Sequence, residues 1–513
     1  MGKKIILSLI VFILVFFITL VVRTVTHPFG QQNVDEEAIK AQIDSSEIQR
    51  FAGGLKFETV SFGDSSLMRY GAFDSFRTYL QSQYPQVFAT CEVELLEKHS
   101  LVLRWKGKDT TLLPLLFLSH YDVVPPGDYS NDESTDVFEW AHDHVHDAHV
   151  PKEVASSWEF PPFSGSVNGG RIYGRGALDM KNMLFALLES ANRLIAKGYQ
   201  PSRSIYFSFG HDEEIGGING ARKVAAYFKQ KGLRFEAVYD EGGIIAAKGS
   251  LPGIDAPVAL IGLAEKGFVT YKFKVKGVGG HSSMPPLQSA MGAASIIMQR
   301  LENEQMKPQL IQPIKSFLSN VGGVMGWVNK MAIANLWLFE PVLLNQFVKE
   351  PSTNALVRST TALTMMKGSD GENVLPPIAE FTANFRILPG NTVADVRAHV
   401  EAACQGYDVE IVQVREAREP SNISPINSRS YQIIEASVKR LYPQTLITPY
   451  ITIGGTDAIK YEIVSDNVYR FMPVVLNQPE QRSIHNFNES ISIQNYANMI
   501  AHFSYIMEQY DQK

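Results

Sequence analysis

The stretch GHDEEIGG, Gly210 to Gly217, sets three carboxylates in a row, Asp212, Glu213 and Glu214, between the apolar run SIYFSF and a glycine pair. Other segments carry the same kind of chemistry. TLLPLLFLSHYDVVP is an apolar run ending in His120 and Asp122, RFEAVYDEGG ends in Asp240, GRGALDMKN puts Asp179 beside a helix start, and SIHNFNESI adds His485 late in the chain. A dinuclear hydrolytic metal site needs hard oxygen and imidazole ligands, one carboxylate to bridge two ions about 3.5–4 Å apart, and a further carboxylate free to move a proton. His120, Asp179, Glu214, Asp240 and His485 supply that list, with the order of ligands open, while Glu213 points elsewhere and stays uncoordinated. Taken singly, each has a plainer reading: an Asp at a helix start is commonly an N-cap, and paired acids are usually a solvated turn. Four such clusters at corresponding strand ends argue against coincidence.

The elements that must position these residues alternate. The strand-like run before His120 is followed by a turn and a helix with an apolar stripe through Met183, Leu187 and Leu194, closed by Gly198. SIYFSFGHDEEIGGINGARKVAAYFKQKG repeats the plan of strand, polar loop and helix, and RFEAVYDEGG supplies a third strand. Strands alternating with helices predict a mostly parallel α/β sheet with its site at the C-terminal edge of the strands. From about Ala264 the texture changes. VTYKFKVKG alternates, LQSAMGAASIIMQRLE is helical, ALVRSTTALTMMKGS and IAEFTANFRILPG read as strands, TVADVRAHVEAACQG as a helix and VEIVQVREA as a strand. That order, βαββαβ, is ferredoxin-like and predicts a second domain inserted into the first. The expected divisions are an N-terminal segment over 1–26, catalytic parts over 27–263 and 417–513, and the insert over 264–416. Within the insert, the apolar GGVMGWVNKMAIANLWLFEPVLLNQFV is broken by Lys330, Glu340 and Pro341, which argues against a membrane span, and its MAIANLWLF run reads as domain core or as the lining of an acyl pocket.

The motifs SHYDVVP, WEFPPFSGSVNGGRIYGRGALDMKN, GHDEEIGG, DEGG, GHSSMPP, ANFRILPG, GGTDA and IHNFNESI together resemble the aminoacylase and carboxypeptidase family of dizinc metallohydrolases, from about residue 40 to the C-terminus. The His of GHDEE, the NVLPP segment and ANLWLFEP resemble the branch containing carboxypeptidase S and the secreted N-acyl-amino-acid hydrolases. The resemblance implies a zinc-peptidase catalytic domain with an inserted ferredoxin-like lid or dimerisation domain, and two Zn2+ ions, with Co2+ or Mn2+ as alternatives. It makes His120 and Asp240 ligands of one ion, Glu214 and His485 ligands of the other, and Asp179 the bridge. Asp122 would accept the other N–H of His120, and Glu213 would be the general base. His281 of GHSSMPP would stabilise the tetrahedral oxyanion, often across a homodimer. Arg386, Gly455 and Thr456, with Asn373 of NVLPP, would hold the substrate's free carboxylate. The implied substrates are a small peptide or an N-acyl amino acid, cleaved by a carboxypeptidase or aminoacylase; a dipeptidase, or a catalytically silent extracellular binding module on the same fold, are the alternatives. Retention of Glu213 and all five ligands argues against the silent module. The stretch Pro126 to Ser157 departs from the family's short spacing and carries EWAHDHVHDAHV, with His142, His144, His146 and His149. It reads as a solvated loop or a secondary metal-loading site.

At 513 residues the chain exceeds a single core. Its 47 basic and 53 acidic residues are spread without a long basic run, which excludes nucleic acid as an expected partner. Two cysteines, Cys91 and Cys404, stand in no thiolate-zinc spacing. Lys3 and Lys4 precede 18 uncharged residues, Ile5 to Val22, and then Arg23. That run is nearer the roughly 20 residues of a span than the apolar region of a cleaved signal, and it lacks a small-residue cleavage site. An uncleaved anchor with the body on the extracytoplasmic side is expected, a secreted protein being the alternative.

Overall fold

The computed structural model describes residues 2–30, 37–127 and 157–511; the histidine-bearing segment with His142, His144, His146 and His149 lies outside them. The chain divides into two compact units, one of residues 30–263, 424–449 and 456–513, the other of residues 1–29, 264–423 and 450–455.

The larger unit is built on a mixed sheet with a parallel centre. Leu115–His120 lies between Ile205–Gly210 and Ala237–Asp240, all parallel, and Val468–Arg470 continues the parallel run beside Ala237–Asp240. Ser100–Trp105 joins antiparallel to Ile205–Gly210 at one side. The centre strands are buried along their whole length, as parallel strands covered on both faces must be. Successive side chains take opposite faces. Leu115, Phe117, Ile205, Phe207 and Tyr239 pack with the helices Lys181–Ala196 and Ile493–Gln509, while Leu116, Leu118, Tyr206 and Val238 pack with Ala221–Gln230 and the 3₁₀ turn Asp457–Ile463. SIYFSF is therefore covered on both faces; Ser208 is buried and bonds the Tyr461 hydroxyl at 3.0 Å. The stripe expected on the helix after Asp179 widens for the same reason: Lys181–Ala196 is buried from residue 181 through 191.

The smaller unit holds an antiparallel sheet in the order Thr360–Lys367, Ile378–Ile387, Gly267–Lys276, Val409–Gln413. Gly267–Lys276 alternates buried and half-buried residues, and its buried face packs with Ala290–Asn303 and Val393–Ala403, so strands and helices follow in the ferredoxin-like order. Four helices not foreseen as such, Gln312–Gly322, Trp327–Ala334, Leu336–Phe347 and Pro351–Val357, lie between the first of these helices and the next strand. This apolar segment is core on one side only, with Ile333 buried and Leu336, Leu344 and Phe347 half-buried against one cluster. Ile314, Leu318, Ile333 and Val357 are buried together, but Leu336–Phe347 has no buried residue and Trp327, Val328, Trp337 and Val342 are exposed. Cys91 and Cys404 are buried free thiols.

His502, on the C-terminal helix, is buried with Nδ1 2.8 Å from Ser437 Oγ, and burial pushes its imidazole down to about 3. The folded state thus resists a proton that the unfolded chain accepts near pH 6.5, so its stability contribution is complete above about 6.5 and fades as pH falls toward 3. Between pH 7 and pH 5 the wild type should lose roughly 2 kcal/mol from this group. Urea unfolding of the wild type and His502→Gln at both pH values checks it; equal losses in the two proteins would remove the assignment.

Candidate metal centre

Parallel register decides which residues meet. His120 pairs with Gly210 at the strand ends, so the chain leaving Gly210 runs directly past the His120 ring. Asp212 to Glu214 then turn tightly, and Gly216 (φ 103°) and Gly217 (φ 63°) complete the turn in the left-handed region that glycine alone enters without cost. At Gly217 a Cβ would also fall 2.3 Å from Asp457 Oδ1.

Two groups of ligands result, His120 with Asp179 and Glu241, and His485 with Asp179 and Glu214. Asp179 Oδ1 is 3.1 Å from His120 Nε2 and Asp179 Oδ2 is 2.9 Å from His485 Nε2, so one carboxylate serves both groups. Glu241 Oε1 lies 3.2 Å from His120 Nε2 and Glu214 Oε2 lies 3.2 Å from His485 Nε2. Glu213 Oε2 stays 3.9 Å from His120 Nε2, outside both groups. Asp240, expected as a ligand, is not in either; its neighbour Glu241 is. Asp240 is the last residue of its strand and Glu241 the first beyond it; burial and Asp457, with a smaller part from Asp240, raise the pKa of the Tyr461 phenol.

The supporting residues are as buried as the ligands. Asp122 is fully buried; its backbone carbonyl is 2.9 Å and its Oδ1 3.4 Å from His120 Nδ1. Its carboxylate also accepts the backbone N–H groups of Glu213 and Glu214, each at 3.1 Å, and the Ser61 hydroxyl at 2.7 Å. Asp122 thus fixes the loop of the second ligand group while it orients the imidazole of the first. Asp212 accepts Asn219 N at 2.7 Å and Gly220 N at 2.9 Å, a loop acceptor ahead of the helix Ala221–Gln230. Glu489, which the sequence reading passed over, is fully buried and accepts Arg175 Nη1 at 2.7 Å and the N–H groups of Gly176, Leu178 and Asp179 at 2.6–3.1 Å. It holds the loop that delivers Asp179. Its signal was its place four residues after His485 in one motif.

The electrostatics fit a cationic occupant. Burial and the neighbouring Asp179 push Glu214 up to about 7 and Glu241 up to about 8, while the imidazoles of His120 and His485 overcome burial and hold Asp179 well below the usual carboxylate range. Glu214 Oε1 is buried with no hydrogen-bond partner among the described residues. Crowded oxygens with a spare acceptor, interleaved with imidazoles, are a donor set for divalent ions.

The other expected site residues fall in two places. In the smaller unit, His281 and Asn373 come together at a two-stranded antiparallel pairing of Gly280–His281 with Val374–Leu375, with Ser282 N donating to Asn373 O at 3.0 Å; both are exposed, and His281 Nδ1 is 2.8 Å from Ser283 Oγ. Arg386 lies in that unit's sheet opposite Phe268. Burial, then Arg418 and Arg415, push its guanidinium below the ordinary range. Arg418 covers the Phe268 ring at 5.5 Å, and its Nη2 would be 2.7 Å from a Cβ on Gly455. In the larger unit Thr456 is buried and caps the turn Asp457–Ile463, accepting Ala458 N at 3.2 Å.

A central parallel sheet carrying two His/carboxylate groups at its strand ends defines a metallohydrolase. The chain belongs to peptidase family M20/M25/M40, whose model matches residues 116–509. It is 34% identical to a probable carboxypeptidase S-like 2 of Dictyostelium discoideum, across 90% of this chain and 84% of that one. It is also 34% identical to the N-fatty-acyl-amino acid synthase/hydrolase PM20D1 of Xenopus tropicalis, across 96% and 92%. In fold it is similar to an M20 family metallo-carboxypeptidase of Sulfolobus solfataricus, with a TM-score of 0.61 at 20% identity, covering 91% of this chain and 99% of that one.

The exchange of Asp240 for Glu241 is testable by metal analysis. Glu241→Gln should lower the metal bound per chain from two equivalents toward one, and Asp240→Asn should leave it unchanged, as read by plasma mass spectrometry after gel filtration. The reverse pattern would restore Asp240 as the ligand.

Proposed function

We propose that this chain is a dinuclear metal hydrolase, with zinc as the first choice and cobalt or manganese as alternatives, that cleaves the amide bond between an acyl or peptidyl group and an amino acid bearing a free carboxylate. The observation that carries the reading is Asp179 shared between two ligand groups with Glu213 left outside both. His120, Asp179 and Glu241 would hold one ion, and Asp179, Glu214 and His485 the other. When bound, such a pair acidifies a water molecule and polarises a carbonyl oxygen.

The remaining work belongs to side chains. Glu213 takes a proton from the attacking water and returns it to the departing amine. Burial raises Glu213 well above the ordinary carboxylate range, with Asp457 and Glu241 adding to the rise against His120, and a base so shifted accepts a proton more readily near neutrality. Asp122 keeps the His120 ring and the Glu213 amide in register. Arg386, which has no carboxylate within ion-pair distance among the described residues, grips the substrate carboxylate, for which its planar fork is suited. Asn373, Gly455 and Thr456 assist that grip. His281, exposed beside Met284 and Leu287, donates to the developing oxyanion in a homodimer. A peptide and a long-chain N-acyl amino acid are the substrate classes in keeping with the relatives' names. The helix Lys4–Thr26, long and apolar enough to cross a membrane, anchors the chain with its body on the extracytoplasmic side.

The reading is tested with purified full-length protein assayed on N-oleoyl-phenylalanine and on glycyl-leucine. Chelation should abolish both activities. Glu213→Gln should retain two metal equivalents and lose about 10²- to 10⁴-fold in kcat, whereas Glu214→Gln should lose metal. Arg386→Leu should raise KM more than it lowers kcat. Turnover that survives chelator or Glu213→Gln would refute the mechanism, and preference for glycyl-leucine would refute the lipidic substrate alone.

A further inference from the structure

The N-terminal helix does not stand alone. Along Gly2–Thr26 the least exposed side chains are Phe16, Leu20 and Thr24, a stripe at four-residue spacing that lies on one helix face. That stripe meets the inserted helices of its own unit. Asn335, fully buried between Trp327–Ala334 and Leu336–Phe347, donates Nδ2–H to Leu20 O at 3.2 Å and to Thr24 Oγ1 at 3.3 Å. Trp337 meets Phe16 edge to face with ring centroids 6.1 Å apart.

These contacts fix a depth. At 1.5 Å per residue, Phe16 lies about 10 Å below Arg23 along the helix. If Arg23 marks the water boundary, Trp337 is inside the hydrocarbon, at the about 5–10 Å depth typical of helices that lie in a membrane surface. The insert carries the matching surface. Trp327 (49% exposed), Val328 (79%), Trp337 (57%) and Val342 (64%) are bare, and Leu336–Phe347 buries no residue. Its one acid, Glu340, is neutralised by Lys315 at 3.1 Å. One side of the helix, Leu336, Leu344 and Phe347, packs half-buried on Ile314, Leu318 and Ile333, while the side bearing Trp337 and Val342 is apolar and has no partner within the described fold.

We propose that Trp327–Ala334 and Leu336–Phe347 are immersed in the outer surface of the lipid bilayer beside the N-terminal helix, forming a monotopic membrane contact. The occupant is lipid because the bare surface is continuous with a helix whose other sides are themselves exposed and apolar from Ile5 to Val22. The proposal rests on the reading of that helix as a membrane anchor. It sets the enzyme against the layer in which long-chain N-acyl amino acids concentrate.

The test uses the full chain reconstituted in phosphatidylcholine vesicles, with and without dibrominated phosphatidylcholine, reading tryptophan fluorescence. The N-terminal helix has no tryptophan, Trp105 and Trp158 are buried in the other unit, and Trp140, outside the described residues, is removed by Trp140→Phe, so in that background quenching by bromine reports the insert. Brominated lipid should quench Trp140→Phe, adding W327F/W337F should abolish that quenching, and Val342→Trp should add a quenched component. Chain that resists alkaline carbonate extraction yet shows no quenching would overturn the membrane contact and leave the anchor standing. Chain released by carbonate would overturn the anchor and the contact together. Quenching that persists in W327F/W337F, or cross-linking of Val342→Cys between copies in place of quenching, would overturn the contact as well.

Discussion

Like charges repel, and the larger unit holds Asp179, Glu213, Glu214 and Glu241 around two imidazoles at the ends of its parallel strands. Much of the local architecture answers that constraint. In a low-dielectric interior each unpaired carboxylate is costly, and the raised affinities of Glu214 and Glu241 for protons express that cost. Divalent ions relieve it without adding structure. The centre is therefore built to be completed by cations, and its rigidity has to come from groups that do not bind them.

Two buried acids supply that rigidity. Asp122 ties the end of the His120 strand to the Glu213–Glu214 turn through two backbone amides, and Glu489 ties the Asp179 loop to the His485 segment through three amides and Arg175. Both acids spend their oxygens on N–H groups and, for Glu489, on the Arg175 guanidinium, so neither competes for the ions of the centre. Removing one partner of the Arg175–Glu489 pair leaves the other charge buried and unpaired, a loss that typically costs about 3–5 kcal/mol. Each tie spans elements far apart in sequence, and that is why neither role is visible in a short motif.

Much of this was legible in the sequence. Apolar runs ending in His or acid marked the parallel strands and their C-terminal edge, and the clean alternation of VTYKFKVKG marked the second sheet. The rest was not, for physical reasons. Which of Asp240 and Glu241 comes beside His120 depends on how the chain turns as it leaves the strand, which a two-residue acid pair does not encode. Ser208 in SIYFSF does not mark an exposed face, because a buried serine with a tyrosine hydroxyl for partner is compatible with a strand covered on both faces. The segment from Trp327 to Phe347 is apolar on two sides, one packed on Ile314, Leu318 and Ile333 and the other bare at Trp327, Trp337 and Val342, and composition alone does not distinguish burial in protein from burial in lipid.

The two units gather opposite charges. The larger gathers anions and offsets them within itself by His120 and His485. The smaller gathers Arg386, Arg415 and Arg418 near Phe268. Lys266, one residue before the strand that pairs with Arg386, is pushed down to about 7 by burial and then by Arg386, and its ammonium is occupied by the carbonyls of Ala355 and Arg358 at 2.9 and 2.8 Å. Arg418 reaches Glu265 only at 3.6 Å. Positive charge there exceeds what the nearby acids neutralise, and Arg386 is the member left facing cations alone. In the proposed reading the deficit is made good by the substrate, whose carboxylate is then selected by the same physics that selects the metal: each unit is incomplete by a charge of the sign its ligand carries.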